Sequence, residues 1–288
     1  MKSFVGNFVW QLASCAAAVL GRSRSIRKAL CAVLFVPALA AANQSQPLQL
    51  AYEPVALGWS ADEVDQAAAG TLSSLMTQAA RNGQLGCLRR CDRLSRIFDR
   101  LTVVARQQSN RALSLRWRLV VVRGTGLDAM ALPGGAVVVS ESFVEQRRLT
   151  DDALAFVLAH EMAHVVLEHE RQALTFARML LPREVPRSVD DMYTEMDFNL
   201  GLIRAMEPVL QQGEFEADEL GLLLASWTGF DPARQLSFLN NECARRAPVQ
   251  AVVQTHPTAC ARLSQLRERL PLANRLWTIS HGDRRARR

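Results

Sequence analysis

The run His160-Glu161-Met162-Ala163-His164 sets two imidazoles one helical turn apart with a carboxylate beside them. At 3.6 residues per turn, positions i and i+4 share a face, so both rings can reach one cation while Glu161 lies next to it. Two neutral imidazole nitrogens leave room on that cation for a carboxylate and a water. Glu161 can take the water's proton as the water attacks a peptide carbonyl. The chemistry expected is zinc-dependent peptide hydrolysis, with one Zn2+ per chain. The flanking residues Ala153, Leu154, Phe156, Val157, Leu158, Val165, Val166 and Leu167 are apolar, so a helix over Asp151–Glu168 should be buried. Burying two His and a Glu without partners would cost about 2–7 kcal/mol per unpaired group, and a bound metal removes that cost. The competing reading, a chance match or a hydrogen-bonded core cluster, turns on whether a third ligand exists.

Fifty residues past His164, Gly213-Glu214-Phe215-Glu216-Ala217-Asp218-Glu219 opens an apolar stretch of Leu220, Leu222, Leu223, Leu224 and Ala225 that reads as a second buried helix. Glu214 and Asp218 are again spaced i, i+4. That spacing suits one carboxylate as a metal ligand and another, a turn later, accepting the free N–H of a ligating imidazole. The alternative is a solvated first turn that the helix dipole favours. Gly221 would let the two helices approach closely. His256, in Thr255-His256-Pro257, and Arg262 are candidate donors to the negative charge that develops on an attacked carbonyl. His169, five residues past His164, is expected to point elsewhere on a continuous helix, and His281 lies in a polar tail.

These residues need elements to hold them. Ser60–Asn82 reads as a helix, with Ser60 as N-cap, Glu63 three residues on and Asn82-Gly83 at its end. A second helix is expected over Leu85–Gln108. Three short β-rich runs follow, Leu115–Val122, Asp128–Leu132 and Ala136–Ser140, the last two joined by the turn Pro133-Gly134-Gly135. From Thr150 the pattern is helical, with breaks at Pro182–Arg187, Gly229–Pro232 and Pro248–Pro257. The fold class is α+β, mostly helical, with one small sheet. The interval Arg171–Gln212, with three prolines, reads either as a lid over the cleft or as ordinary helical packing. The expected organisation is a leader or anchor over 1–42, an extended linker over 43–59, one catalytic domain over 60–275 and a basic tail over 276–288.

The formal charge of +6 is unevenly placed. Residues 1–42 hold five of the 34 basic residues and no acid, which leaves 29 against 28 elsewhere, with four arginines in the last six positions. The body carries no nucleic-acid footprint. The stretch Ala29–Ala42, behind the basic run Arg22–Lys28 and ending Ala38-Leu39-Ala40-Ala41-Ala42, fits a secretory signal and is short for a bilayer span. An uncleaved N-terminal anchor and a lipoprotein site at Cys15 are the alternatives. Beyond the leader stand four cysteines, Cys87, Cys91, Cys243 and Cys260, an even number that suits one or two disulfides in an exported protein. Spacing leaves their pairing open, including a local bridge or two free thiols at Cys87 and Cys91.

In this order, Ala131-Leu132-Pro133-Gly134-Gly135 with the β run after it, the HExxH helix with His169, the Glu214–Asp218 segment, and His256-Pro257 with Arg262 resemble the gluzincin metallopeptidase family of the CAAX prenyl proteases, HtpX and BepA. The likeness covers roughly residues 60–270. It implies a zinc site of His160, His164 and Glu214, with Glu214 rather than Glu216 as the third ligand, and Glu161 as the base. It further implies Asp218 and Arg262 supporting the ligands from behind, and His256 as a transition-state residue or a gate on the open zinc position. The Met130-Ala131-Leu132-Pro133-Gly134-Gly135 run corresponds to an edge strand along which an extended polypeptide pairs by backbone hydrogen bonds. The several membrane helices of the prenyl proteases are not expected, nor is the helical-repeat domain of BepA. The expected function is an exported endopeptidase of unfolded or misassembled envelope proteins in a bacterial periplasm, free or held at the membrane by its N-terminus. The alternative is a chaperone-like assembly factor with a gated, weakly active zinc site.

Overall fold

A computed structural model describes residues 58–89, 91–124, 126–245 and 256–286. The leader with Cys15, nearly all of the 43–59 linker and most of the Pro248–Pro257 break lie outside the described residues. The order of elements is α1 (Ala61–Arg81), α2 (Cys91–Gln108), α3 (Asn110–Ser114), β1 (Arg118–Val122), β2 (Ala129–Leu132) and β3 (Ala136–Ser140), then α4 (Glu141–Gln146), α5 (Asp151–Val166), α6 (His169–Leu180), α7 (Val189–Phe198), α8 (Leu200–Trp227), α9 (Pro232–Gln235), α10 (Ser237–Ala244) and α11 (Ala259–Ala286). Among the described residues no helix is long and apolar enough to cross a membrane.

Local chemistry sets the boundaries. Ser60 and Glu63 form the expected capping box on α1, and Thr150 accepts from the Ala153 N–H at the start of α5. The sheet has the order β1-β3-β2, with β3 parallel to β1 and antiparallel to β2. All five residues of β3 are buried, as befits a central strand, and β2 lies at an edge. Helix α5 is buried on nearly every side; Leu154, Phe156, Leu158 and Met162 are wholly enclosed. Each such side chain contributes about 1.5–3 kcal/mol by leaving water, which makes α5 a rigid base for the residues it presents.

Three boundaries differ from expectation. The helix foreseen from Leu85 begins only at Cys91, because Leu85 bridges to Val122 and Glu141 accepts the N–H groups of Leu88 and Arg89 at 3.1 and 2.5 Å. That holds the segment beside the sheet. The acidic cluster around Glu214 is no first turn, since α8 starts at Leu200 and continues through Pro208; the dipole reading therefore fails. The domain edge set at 275 falls inside α11, where Ala273, Leu276 and Ser280 are buried, so the helix stays packed beyond it. The 171–212 interval folds as α6, α7 and the first half of α8, packed through Ala173, Leu174, Ala177, Met192, Leu202 and Met206 against Val64 of α1.

Candidate metal centre

Helices α5 and α8 cross where Gly221 meets the backbone of His160. A Cβ on Gly221 would lie 2.8 Å from the His160 nitrogen, so no other residue permits this approach. The crossing brings the predicted ligands together. The Nε2 atoms of His160 and His164 stand 3.2 Å apart; Glu214 Oε1 lies 3.3 Å from His164 Nε2, and Glu214 Oε2 lies 3.6 Å from His160 Nε2. Tetrahedral zinc with bonds of about 2.0–2.2 Å separates its ligand atoms by roughly 3.3–3.6 Å, close to these separations, with Glu214 meeting each imidazole through a different oxygen.

The donor chemistry supports the same fit. Asp218 Oδ1 lies 3.0 Å from His160 Nδ1 and is almost wholly buried, so it accepts the Nδ1–H and leaves a lone pair on Nε2. Glu214 Oε2 is buried with no hydrogen-bond partner among the described residues. Lone pairs and a carboxylate oxygen thus converge on one point, an arrangement that repels itself unless a cation sits there. Among the described residues, His160, His164 and Glu214 form the set able to hold a metal ion.

Arg262, from α11, locks Asp218 with two parallel bonds, Nε to Oδ2 at 2.7 Å and Nη2 to Oδ1 at 2.5 Å. Its Nη1 stands 3.7 Å from Glu214 Oε2. The guanidinium therefore sits behind the ligands, as the family resemblance implied, with Nε and Nη2 bonded to Asp218 and Nη1 turned toward Glu214. His256 Nε2 lies 3.3 Å from Glu214 Oε1, and its side chain is two-thirds exposed at the mouth of the site. Glu161 is half-buried beside the ligands. Burial opposes charge on Glu214, yet in the metal-free molecule the contact with His164 and the charge of the imidazoles of His160, His164 and His256 when protonated outweigh it and hold the carboxyl at about 2. Burial likewise disfavours charge on His160, but Asp218's hydrogen bond and negative charge prevail and raise its pKa.

The residues open onto a cleft of about 810 Å³. Ala129, Met130, Ala131 and Pro133 line one side; Met196, Pro208, Val209 and Leu210 form part of another, which makes the 171–212 interval a wall of the cleft. Three residues of the expected substrate strand do not reach it. Leu132 is buried in the core between the sheet and α1, while Gly134 and Gly135 adopt φ of +87° and +100° to make the turn, where Gly135 packs on the Arg116–Trp117 backbone. Because Asp128 O accepts from Ser140 N, the bonded positions of β2 are Asp128, Met130 and Leu132. The backbone groups of Ala129 and Ala131 then face the open edge.

Sequence reasoning missed one part of this cluster. His169 Nδ1 lies 3.0 Å from His164 Nδ1, and its Nε2 lies 3.2 Å from Glu216 Oε2. The expectation that His169 points away assumed a continuous helix. In fact α5 ends at Val166, and Glu168, at φ +57°, turns the chain so that α6 begins with His169 facing back. No glycine or proline marks that break in the sequence.

The chain is 30% identical over 187 residues to "Mitochondrial metalloendopeptidase OMA1" of Schizosaccharomyces pombe, covering 62% of this chain and 53% of that protein. It is 29% identical over 177 residues to the protein of the same name from Saccharomyces cerevisiae, covering 58% and 50%. Against "Beta-barrel assembly-enhancing protease" of Yersinia pestis it is 29% identical over 165 residues, 52% of this chain and 33% of that protein. The chain thus spans about half the length of the first two relatives and a third of the last. Residues 89–270, from just before α2 into α11, match the family model for Peptidase family M48, a span that includes every residue of the cluster, and the chain belongs to that family.

Proposed function

We propose that this chain is a zinc metalloendopeptidase in which His160, His164 and Glu214 hold one Zn2+ and Glu161 is the general base. The observation that carries this is the convergence of the two Nε2 atoms and the Glu214 carboxylate within reach of one ion, beside Glu161 in a cleft bordered by an open strand edge. When bound, zinc supplies Lewis acidity that acidifies water and polarises the scissile carbonyl. The Glu161 carboxylate receives the proton of the attacking water and passes it to the departing amine nitrogen. His256, at the mouth, donates to the oxyanion. Asp218 and Arg262 fix His160 in the tautomer that offers Nε2. Ala129 and Ala131 pair with an extended substrate by backbone hydrogen bonds, so recognition rests on main chain more than side chain and favours unfolded polypeptides.

The substrates proposed are unfolded or misassembled envelope proteins, and the location proposed is a bacterial periplasm. Three things support this: the signal-like stretch at Ala29–Ala42, the β-barrel assembly for which one group of relatives is named, and the bonding of all four body cysteines as Cys87–Cys91 and Cys243–Cys260. Cell fractionation with a thiol-labelling assay tests the compartment; reduced cysteines in a cytosolic fraction would refute it. Casein hydrolysis by wild type and Glu161→Gln tests the chemistry. We expect Glu161→Gln to keep its zinc and lose activity by about 10²–10⁴-fold. Undiminished hydrolysis would exclude Glu161 as the base.

One observation favours a second reading, a gated assembly factor: His256 Nε2 already contacts the ligand Glu214. His256→Ala separates the two. Loss of hydrolysis supports the oxyanion role, whereas a gain supports a gate.

A further inference from the structure

Among the described residues, His164 has no carboxylate of its own at Nδ1, unlike His160, which has Asp218. We infer that His169 and Glu216 together are positioning residues for His164, forming a two-step relay that fixes which of its nitrogens faces the metal. The inference rests on the zinc site proposed above.

The assignment follows from hydrogen-bond chemistry at three atoms. A carboxylate only accepts, so the 3.2 Å contact between Glu216 Oε2 and His169 Nε2 places a proton on that nitrogen. A neutral imidazole with Nε2–H has a lone pair at Nδ1. That lone pair faces His164 Nδ1 at 3.0 Å, so His164 donates its Nδ1–H and keeps the lone pair of Nε2 for the metal point. Reversing either step would put a proton on the nitrogen that faces His160 and Glu214. Each link is held in place. Gln212 donates to Glu216 Oε1 at 2.8 Å. The His169 ring packs on α8 at Gly213, where a Cβ would make ordinary contact at 3.4 Å.

The backbone shows the same dependence. Only the left-handed turn at Glu168 brings His169 back toward His164, and a non-glycine residue in that conformation costs on the order of 1 kcal/mol or more. Arg111 at 3.1 Å and Arg171 both grip the Glu168 carboxylate. The fold thus keeps a strained residue in the step that aims His169.

The test is a double-mutant cycle read as zinc affinity, measured by chelator competition on metal-free protein. His169→Leu keeps a bulky side chain and removes the acceptor; a loss of 10–100-fold is expected. Glu216→Ala, at a half-exposed side chain that packs in no core, is expected to cost several-fold up to about tenfold. In the His169→Leu background, Glu216→Ala should add nothing, because its only route to the metal is gone. Multiplying losses, or wild-type affinity in either single variant, would overturn the relay. Should His169→Leu fail to fold, Glu216→Ala in the Co2+-substituted protein decides alone. Its His164 Nδ1–H resonance should then exchange with water faster than in wild type, and an unchanged exchange rate overturns the proposal. A wild type that takes up neither zinc nor cobalt sinks the zinc site itself, an outcome distinct from variants that bind as wild type.

Discussion

Gly221→Ala tests whether the close crossing of α5 and α8 builds the metal centre. The added Cβ would stand 2.8 Å from the His160 nitrogen, 2.9 Å from its Cα and 3.2 Å from the Ala159 carbonyl carbon, all backbone atoms that cannot rotate away. Ordinary contact begins near 3.4 Å, so the helices must part by about 0.6 Å at this point. Overpacking of that kind costs about 1–3 kcal/mol, against a gain of about 0.5–1 kcal/mol for replacing glycine in a helix, leaving a net loss of roughly 1–2 kcal/mol. The effect on the site is larger. His160 and Glu214 come from the two helices being separated, and metal sites tolerate about 0.2 Å, so hydrolysis should fall on the order of 100-fold. Urea denaturation of the metal-free protein, zinc content and casein cleavage read these separately. Gly70→Ala is the control, since a Cβ there meets nothing within 4 Å in α1 and should be neutral or stabilising. If Gly221→Ala matches Gly70→Ala in stability and activity, the packing argument is wrong.

Stabilisation by zinc should grow with pH. The raised pKa of His160 means that, in metal-free protein, its charged form contributes stability fully present below 6.5 and lost as pH rises through the folded value, whereas zinc requires the neutral form. The Tm gain on adding zinc is therefore expected to increase from about pH 5.5 to about pH 8, and a gain that shrinks over this range by calorimetry would contradict the assignment. Ala131→Pro removes one outward N–H from the edge of β2 without touching its bonded positions; it should lower kcat/KM for casein by about 2–10-fold with zinc content unchanged. Equal activity would show that substrates do not pair there. Replacing Cys243 and Cys260 together by Ser opens a loop of sequence separation 17 and should cost about 3 kcal/mol in urea denaturation, whereas a cost near zero would mean the bridge does not form in solution.

The parts of this molecule that were legible in the sequence are those governed by short-range rules. HExxH spacing fixes the face of a helix, so His160, Glu161 and His164 could be placed together without a fold. The i, i+4 pair Glu214 and Asp218 follows the same arithmetic, and Ser60 with Glu63 announces a capping box by type and spacing alone. Where a boundary depends on distant contacts, the pattern fails. In Leu85–Arg89 the local signal against a helix is Gly86, which takes φ of +100°, and the contacts with Val122 and Glu141, supplied by the sheet and α4, complete the departure from one. Glu214 reads as a first turn because Gly213 precedes it, yet packing through Leu202 and Met206 carries α8 past that glycine. His169 is the instructive case. Counting along a continuous helix turns it away from His164, and the residue that reverses this, Glu168, has a side chain that ordinarily avoids positive φ. What holds it is Arg171, three residues on in α6, and Arg111 from α3, the second of which no local pattern supplies. A strained, non-glycine turn kept by two ion pairs from separate helices is most readily explained by what it positions, and what it positions is the imidazole against the metal ligand His164.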